Sequence, residues 1–282
     1  MNKLRKSITG FRGNRGAAAG MLILLVIAAG ALLAGFLDEQ AGTDLENSLK
    51  PPSLEHPFGT DSFGRDLFSR VLKGSRVSLM VGFSARTISL IIGLITGLTA
   101  GFYGKKIDSI IMRLADITFA FPTLLLLIAV MAVVTPGLGT LSVVLGFVGW
   151  AAIARLVRGQ VLAVREREYV QAARAAGASD ISLITKHILP QCLSPLIVVY
   201  TLGLGMAIMA ESSLSFLGLG VQPPDPSWGR MISDGIIFMR SAWWLTIFPG
   251  LALTLTVCSL NLVGDGLRDM LDTRRVDFRK SI

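Results

Sequence analysis

The chain has 282 residues, 52% of them hydrophobic and only 16% charged, with a mean hydropathy of +0.62. A soluble domain carries about 25% charged residues, so too few polar side chains remain here to cover a water-facing surface. The formal charge of +8 would indicate a nucleic-acid binder only if it were gathered on one face. It is instead spread between apolar runs, as in membrane proteins that keep Lys and Arg in their cytoplasmic segments.

Crossing about 30 Å of hydrocarbon takes about 20 apolar residues in a helix, and six stretches meet that requirement. The first covers residues 17–37. Basic residues precede it, but its apolar core is too long for a signal peptide, and acidic Asp38 and Glu39 follow without a small-residue cleavage site. An uncleaved first span is therefore expected. Residues 38–76 form an external segment that passes Pro51-Pro52. From Gly64 this segment reads as a short amphipathic helix lying in the membrane interface, with Leu67, Phe68, Val71 and Leu72 on one face.

Spans two to six are expected at residues 77–103, 107–134, 138–164, 192–217 and 243–267. Pro122 and Pro136 should bend or end the third. Between spans five and six lies a second external segment, residues 218–241, whose Pro223-Pro224-Asp225-Pro226 run cannot be helical throughout. Trp228, Trp243 and Trp244 suit an outer aromatic belt. Most of the 27 Lys and Arg fall in the N-terminal tail, the turn after span two, the loop after span four and the C-terminal tail. Both termini should therefore be cytoplasmic. The chain divides into residues 1–76 (tail, first span and external segment), a core of five spans at 77–267 and a cytoplasmic tail at 268–282.

Arg86, Asp116 and Glu211 lie in apolar runs, where a charge at mid-bilayer is unfavourable by at least about 2.5 kcal/mol. They should face protein or a water-filled path. Glu211 has two readings: a contact with substrate or path water, or a helix-to-helix bond with Arg86 as partner. Arg113 and Asp116 stand at i, i+3 and are expected to pair. Cys192 and Cys258 read as small buried hydrophobes, and His56 and His187 stand outside any ligand motif, so no metal site is expected.

The loop at 165–190 carries the strongest signal. Residues 166–176 are good helix formers. Gly177 can take the left-handed conformation that ends a helix, Ser179 or Asp180 can cap the next one, and Pro190 marks re-entry into the membrane. Tyr169, Ala172, Ala173 and Ala176 share one helical face, made almost wholly of methyl groups. Such a face lets another backbone approach closely, and Arg165, Arg167 and Arg174 flank it. An alanine-rich solvated linker would read the same way by periodicity alone.

The run Gln171-Ala172-Ala173, then Gly177, then His187-Ile188-Leu189-Pro190 resembles the EAA motif of permease subunits in prokaryotic ABC importers. Gln171 stands where that motif has Glu, and His187 where it often has Ile. Three further stretches resemble the second, C-type, permease of the dipeptide/oligopeptide/nickel group. These are His56-Pro57-Phe58-Gly59-Thr60-Asp61 with Gly64-Arg65-Asp66, Ser213 to Gly220 continuing to Trp228-Gly229, and Asn261 to Asp269.

The resemblance implies an all-α membrane protein of six transmembrane helices with the type I importer fold, in a prokaryotic inner membrane. It implies half of a path for di- or oligopeptides, with nickel or another small solute as the alternative. A homologous second permease, two cytoplasmic ATPases and an external solute-binding protein would be its partners, with no nucleic acid. On that resemblance Tyr169, Gln171, Ala172, Ala173, Gly177, Ala178, Ser179, Asp180 and Pro190 would couple to an ATPase, and Asp61, Arg65, Asp66 and Trp228 would contact the binding protein. No cofactor is expected on this chain, ATP and Mg being held by the ATPases. The nearest approach to a nucleotide loop, at Gly104-Lys105-Lys106, has Thr99 in place of the first Gly and lacks the final Ser/Thr. A membrane enzyme would need a motif such as H-E-x-x-H or G-x-S-x-G, neither of which occurs. A stand-alone secondary transporter would work without an ATPase.

Overall fold

The computed structural model describes residues 15–34 and 44–271, and within them every regular element is helical. The basic N-terminal tail up to Asn14, Asp38 and Glu39, and the tail beyond Leu271 lie outside the described residues. The helices are α1 (Arg15–Leu33), α2 (Leu67–Tyr103), α3 (Lys105–Ala120), α4 (Thr123–Met131), α5 (Leu138–Arg165), α6 (Glu168–Ala175), α7 (Asp180–Ser182), α8 (Leu189–Phe216), α9 (Trp228–Ile236) and α10 (Trp244–Leu271). A π turn over Leu183–Ile188 joins α7 to α8.

Five helices are long and apolar enough to cross a membrane: α1, α2, α5, the α7–α8 unit and α10. Taken together α3 and α4 are also apolar and long enough, but they are bent by 88° at the break between them, the geometry of a broken sixth span or of a re-entrant loop. The break falls at Phe121 and Pro122, because Pro122 has no N–H to continue the ladder and pushes Phe121 to extended backbone (ψ 138°). Pro136 plays no part in it, since α4 has already ended at Met131.

The second span departs from expectation. The amphipathic stretch after Gly64 is not a separate interfacial helix but the first turns of α2, which runs unbroken for 37 residues. Asp66 caps it, its carboxylate accepting from the Ser69 N–H at 2.8 Å. Gly74, which could have interrupted the helix, is buried against the Trp228 ring instead.

The centre of the bundle is the α2–α5 pair. Ala85, Ser89, Gly93, Gly97 and Gly101 recur every four residues along α2 and are all buried. This ridge of small side chains lets the backbones of the two helices meet. A Cβ at Gly97 would stand 2.6 Å from the Ala154 carbonyl oxygen, and one at Gly93 2.8 Å from that of Trp150. Ser89 closes the ridge with a hydrogen bond to the Gly146 carbonyl at 2.8 Å. The ridge is legible in the sequence as G-x-x-x-G-x-x-x-G, a signal that hydropathy alone passes over.

The amphipathic α3 is fastened to the outer side of α5. Asp108 receives both the Nε and one terminal nitrogen of Arg158, at 2.5 and 2.6 Å. Asp116 pairs with Arg155, whose guanidinium also lies 4.4 Å from the centre of the Phe119 ring. The expected Arg113–Asp116 pair is therefore absent among the described residues. Arg155 and Arg158 belong to α5 rather than to the loop after it. Cys192 is buried as expected, but Cys258 is exposed on α10. Much of the remaining apolar surface, such as Leu22, Leu25 and Val26 on α1 and Ile110 and Ile117 on α3, faces outward, as lipid or apolar partner surfaces require.

Candidate functional site: a hairpin at one end, a cap at the other

At the end of the bundle where α2 and α5 finish, α6 and α7 form a helical hairpin. Gly177 has a φ of +85°, the left-handed conformation that ends α6. The Gly177 and Ala178 N–H groups return to the carbonyls of Arg174 and Ala173 at 3.0 and 3.1 Å. Between the two cap candidates the structure selects Ser179, whose hydroxyl accepts from the Ser182 N–H. Pro190 does not interrupt the chain, which passes from α7 through the π turn into α8. The wide turn ends just before Pro190, where a missing N–H would leave an α-helical carbonyl unpaired.

One side of the hairpin is anchored. Val170, Leu183 and Ile188 are fully buried and pack with Val157, Val161 and Val164 of α5 and Phe102 of α2. Gln171 donates to the Arg165 carbonyl at 2.9 Å, a bond that a carboxylate at this position could not make. Arg165 reaches the Gly101 carbonyl at 2.8 Å, and the Arg174 guanidinium lies 5.5 Å from the centre of the Phe102 ring. The last turn of α2 is thus held by Arg165 at the end of α5 and by Arg174 of the hairpin.

The other side is open. Ala172, Ala175, Ala176, Gly177, Ser179 and Asp180 are exposed, and Tyr169 is 41% exposed. Ala173, placed on this face by periodicity, is half-buried and packs on the inner cluster. Ala178 does the same, so the free surface is narrower than the sequence implied. It gains one residue that sequence reasoning missed: Ile181, 75% exposed at the start of the second helix. An apolar side chain at N2 beside a cap serine was the available signal.

The opposite end is closed by a cap built from residues 44–66 and α9. Asp61 is its hub. One oxygen accepts from the Phe63 and Arg65 N–H groups at 2.8 and 3.0 Å, and the other from the Nε of Arg65 at 2.8 Å, with Arg70 Nε at 3.3 Å. His56 Nδ1 lies 3.0 Å from Asp66. Trp228 is wholly buried and donates to the Val71 carbonyl at 3.1 Å, while Trp244 donates to the Thr60 carbonyl at 3.2 Å. Of the expected aromatic belt only Trp243 is exposed. In this conformation Trp228 exposes no surface and Asp61 little, while Arg65 and Asp66 are half-buried. Gly59 and Gly64 hold positive φ where the chain crowds Trp244 and Asp44.

Beneath the cap, Glu211 of α8 has no exposed surface. Its two oxygens accept from Ser215 at 2.7 Å and Ser212 at 3.2 Å. The Ser78 hydroxyl of α2 and the Ser227 hydroxyl at the start of α9 also face the carboxylate. Gly220 and Gly229 leave room for Ser215 and the Ser212 carbonyl. The structure places Glu211 among serines of α8, α2 and the start of α9. Arg86 is not its partner: it crosses from α2 to the Val199 carbonyl of α8 at 2.6 Å, its guanidinium filling the space over Gly203.

A bundle of membrane-crossing helices with an exposed small-residue hairpin at one end and a packed cap at the other defines an all-helical integral-membrane protein. Residues 89–277 match the family described as "Binding-protein-dependent transport system inner membrane component", and the chain belongs to that family. It is 44% identical over 272 residues to the dipeptide transport system permease protein DppC of Alkalihalophilus pseudofirmus, covering 96% of this chain and 90% of the relative. It is 42% identical to the oligopeptide transport system permease protein OppC of Bacillus subtilis, covering 94% and 87%. Among solved structures, an inward-facing form of the MetNI methionine ABC transporter superposes with a TM-score of 0.57 at 19% identity, covering 71% of this chain and 94% of that one. That likeness carries the fold.

Proposed function

We propose that this chain is a permease subunit of an ATP-driven importer of di- or oligopeptides. It forms half of the path with a homologous second permease, and its hairpin is the seat of an ATPase. Both termini and the hairpin are cytoplasmic on this reading, and the cap faces outside, where a solute-binding protein delivers the peptide. The chain holds no nucleotide; ATP and Mg are bound by the partner ATPases. The peptide substrate rests on the relatives, whose names include dipeptide and oligopeptide permeases.

The carrying observation is the two-sidedness of the hairpin: Val170 and Leu183 anchor it from within, while Ala172, Ala175 and Ala176 stay open. Small side chains give a partner close access to the backbone, and the anchor converts motion of the partner into motion of α2 and α5. When the ATPases close on ATP, the hairpins of the two permeases are drawn together and the path opens outward. Hydrolysis releases them.

The test is Ala172→Arg in the reconstituted four-subunit transporter. Because Ala172 is exposed, the variant should keep wild-type melting behaviour. It should lose the ATPase subunits on size-exclusion chromatography and lose ATP-dependent peptide uptake. Normal uptake with bound ATPases would remove the hairpin from the mechanism.

A further inference from the structure

Between the 61–70 segment and the 223–238 segment lies a cavity of about 450 Å³, within the usual range for small-ligand sites of about 300–1,000 Å³. Six charged side chains line it: Asp61, Arg65, Arg70, Asp225, Arg230 and Asp234. Three are positive and three negative, but they are not evenly satisfied. Arg230 and Asp234 pair with each other at 3.0 Å. Arg65 and Arg70 share the single carboxylate of Asp61, each through its Nε; Asp234 across the cavity also acts on Arg70, and the Arg65 guanidinium lies 4.6 Å from the centre of the Phe63 ring. Their terminal guanidinium nitrogens make no hydrogen bond among the described residues. Asp225 is exposed and makes no ion pair or hydrogen bond among them. The cavity therefore has surplus positive charge on the 61–70 wall and a free carboxylate on the 223–238 wall, with apolar Met231 and Phe238 also lining it.

We infer that this cavity is a binding subsite for a short zwitterion of the peptide class, its carboxylate held by Arg65 and Arg70 and its ammonium by Asp225. Terminal guanidinium nitrogens are the groups best suited to grip a carboxylate, and the apolar lining accepts a side chain. The site lies in the cap, apart from the buried Glu211. The inference rests on the peptide reading above. A flat docking face would present its charges outward, whereas these line a concavity of ligand size.

The experiment uses the complete transporter in lipid nanodiscs without binding protein, and dialanine as probe, with saturation-transfer NMR as the readout. Dialanine should bind, and dialanine amide and N-acetyl-dialanine should each bind about tenfold more weakly. Asp225→Asn should erase the difference between dialanine and its N-acetyl form, while Arg65→Gln should erase the difference between dialanine and its amide. Because Asp225 is exposed and unpaired, its variant keeps the test valid if Arg65→Gln fails to assemble. Equal binding of blocked and free peptides, or discrimination unchanged in Asp225→Asn, overturns the subsite. Wild-type peptide uptake in proteoliposomes separates the two levels. Uptake without direct binding sinks the subsite alone, and no uptake of any peptide sinks the peptide reading.

Discussion

The hairpin and the cap are both short polar segments breaking up an apolar chain, yet they spend their residues in opposite ways. Around its hub the cap turns its chemistry inward: Asp61 accepts three hydrogen bonds and pairs with Arg70, and two tryptophans are buried with their indole N–H groups bonded to carbonyls; the charges lining its cavity are the exception. The hairpin holds itself with a few apolar anchors and leaves its alanines and Ile181 bare. A segment that must keep its own shape consumes its polar groups internally. On the proposed reading, the segment that another polypeptide grasps keeps a simple surface free. Burial then separates residues that hold the fold from residues left open for a partner, which identity alone does not.

Substitutions break this comparison from either side. The largest effect is expected at the bundle centre that both ends share. Gly97→Leu would drive a side chain into the Ala154 backbone and should abolish accumulation of the folded subunit in the membrane, read by detergent-extracted yield. Next is Trp228→Ala in the cap, which empties a wholly buried indole site and should lower stability by about 3–5 kcal/mol, seen as a fall in the thermal midpoint. A cap built only as a surface would lose no stability. Smallest in stability is Ile181→Asp in the hairpin, where an exposed side chain should change stability by less than about 0.5 kcal/mol. It should still weaken ATPase association several-fold in a pull-down. Stability loss at Ile181 with retained ATPase binding would reverse the contrast.

The sequence made the apolar runs visible, and with them the helical class. It also exposed the hairpin, because Gly177 and Ser179 carry local backbone rules that hold whatever surrounds them. It failed where the answer depends on which neighbour a helix face meets. Lipid and a packed helix are equally apolar, so Cys258 looked like Cys192 and Trp228 looked like Trp243. Asp116 was given its neighbour in sequence, Arg113, when a residue 39 positions away, Arg155, stood closer in space. Ala173 was assigned to the open face because periodicity fixes angles around an axis and says nothing about which arc is covered. The glycine ridge of α2 and, more weakly, Ile181 beside its cap serine were missed features with a sequence signature.

The uninterrupted length of α2 has a mechanical consequence. At 1.5 Å per residue it is a rod of about 55 Å, with Asp66 of the cap at one tip and, at the other, Gly101 and Phe102 in the grip of Arg165 and Arg174. Tilting such a rod by about 10° about one tip sweeps the other through about 10 Å. No Pro lies within it to absorb the swing. A pull on the hairpin and a displacement of the cap are thus two readings of a single stiff strut.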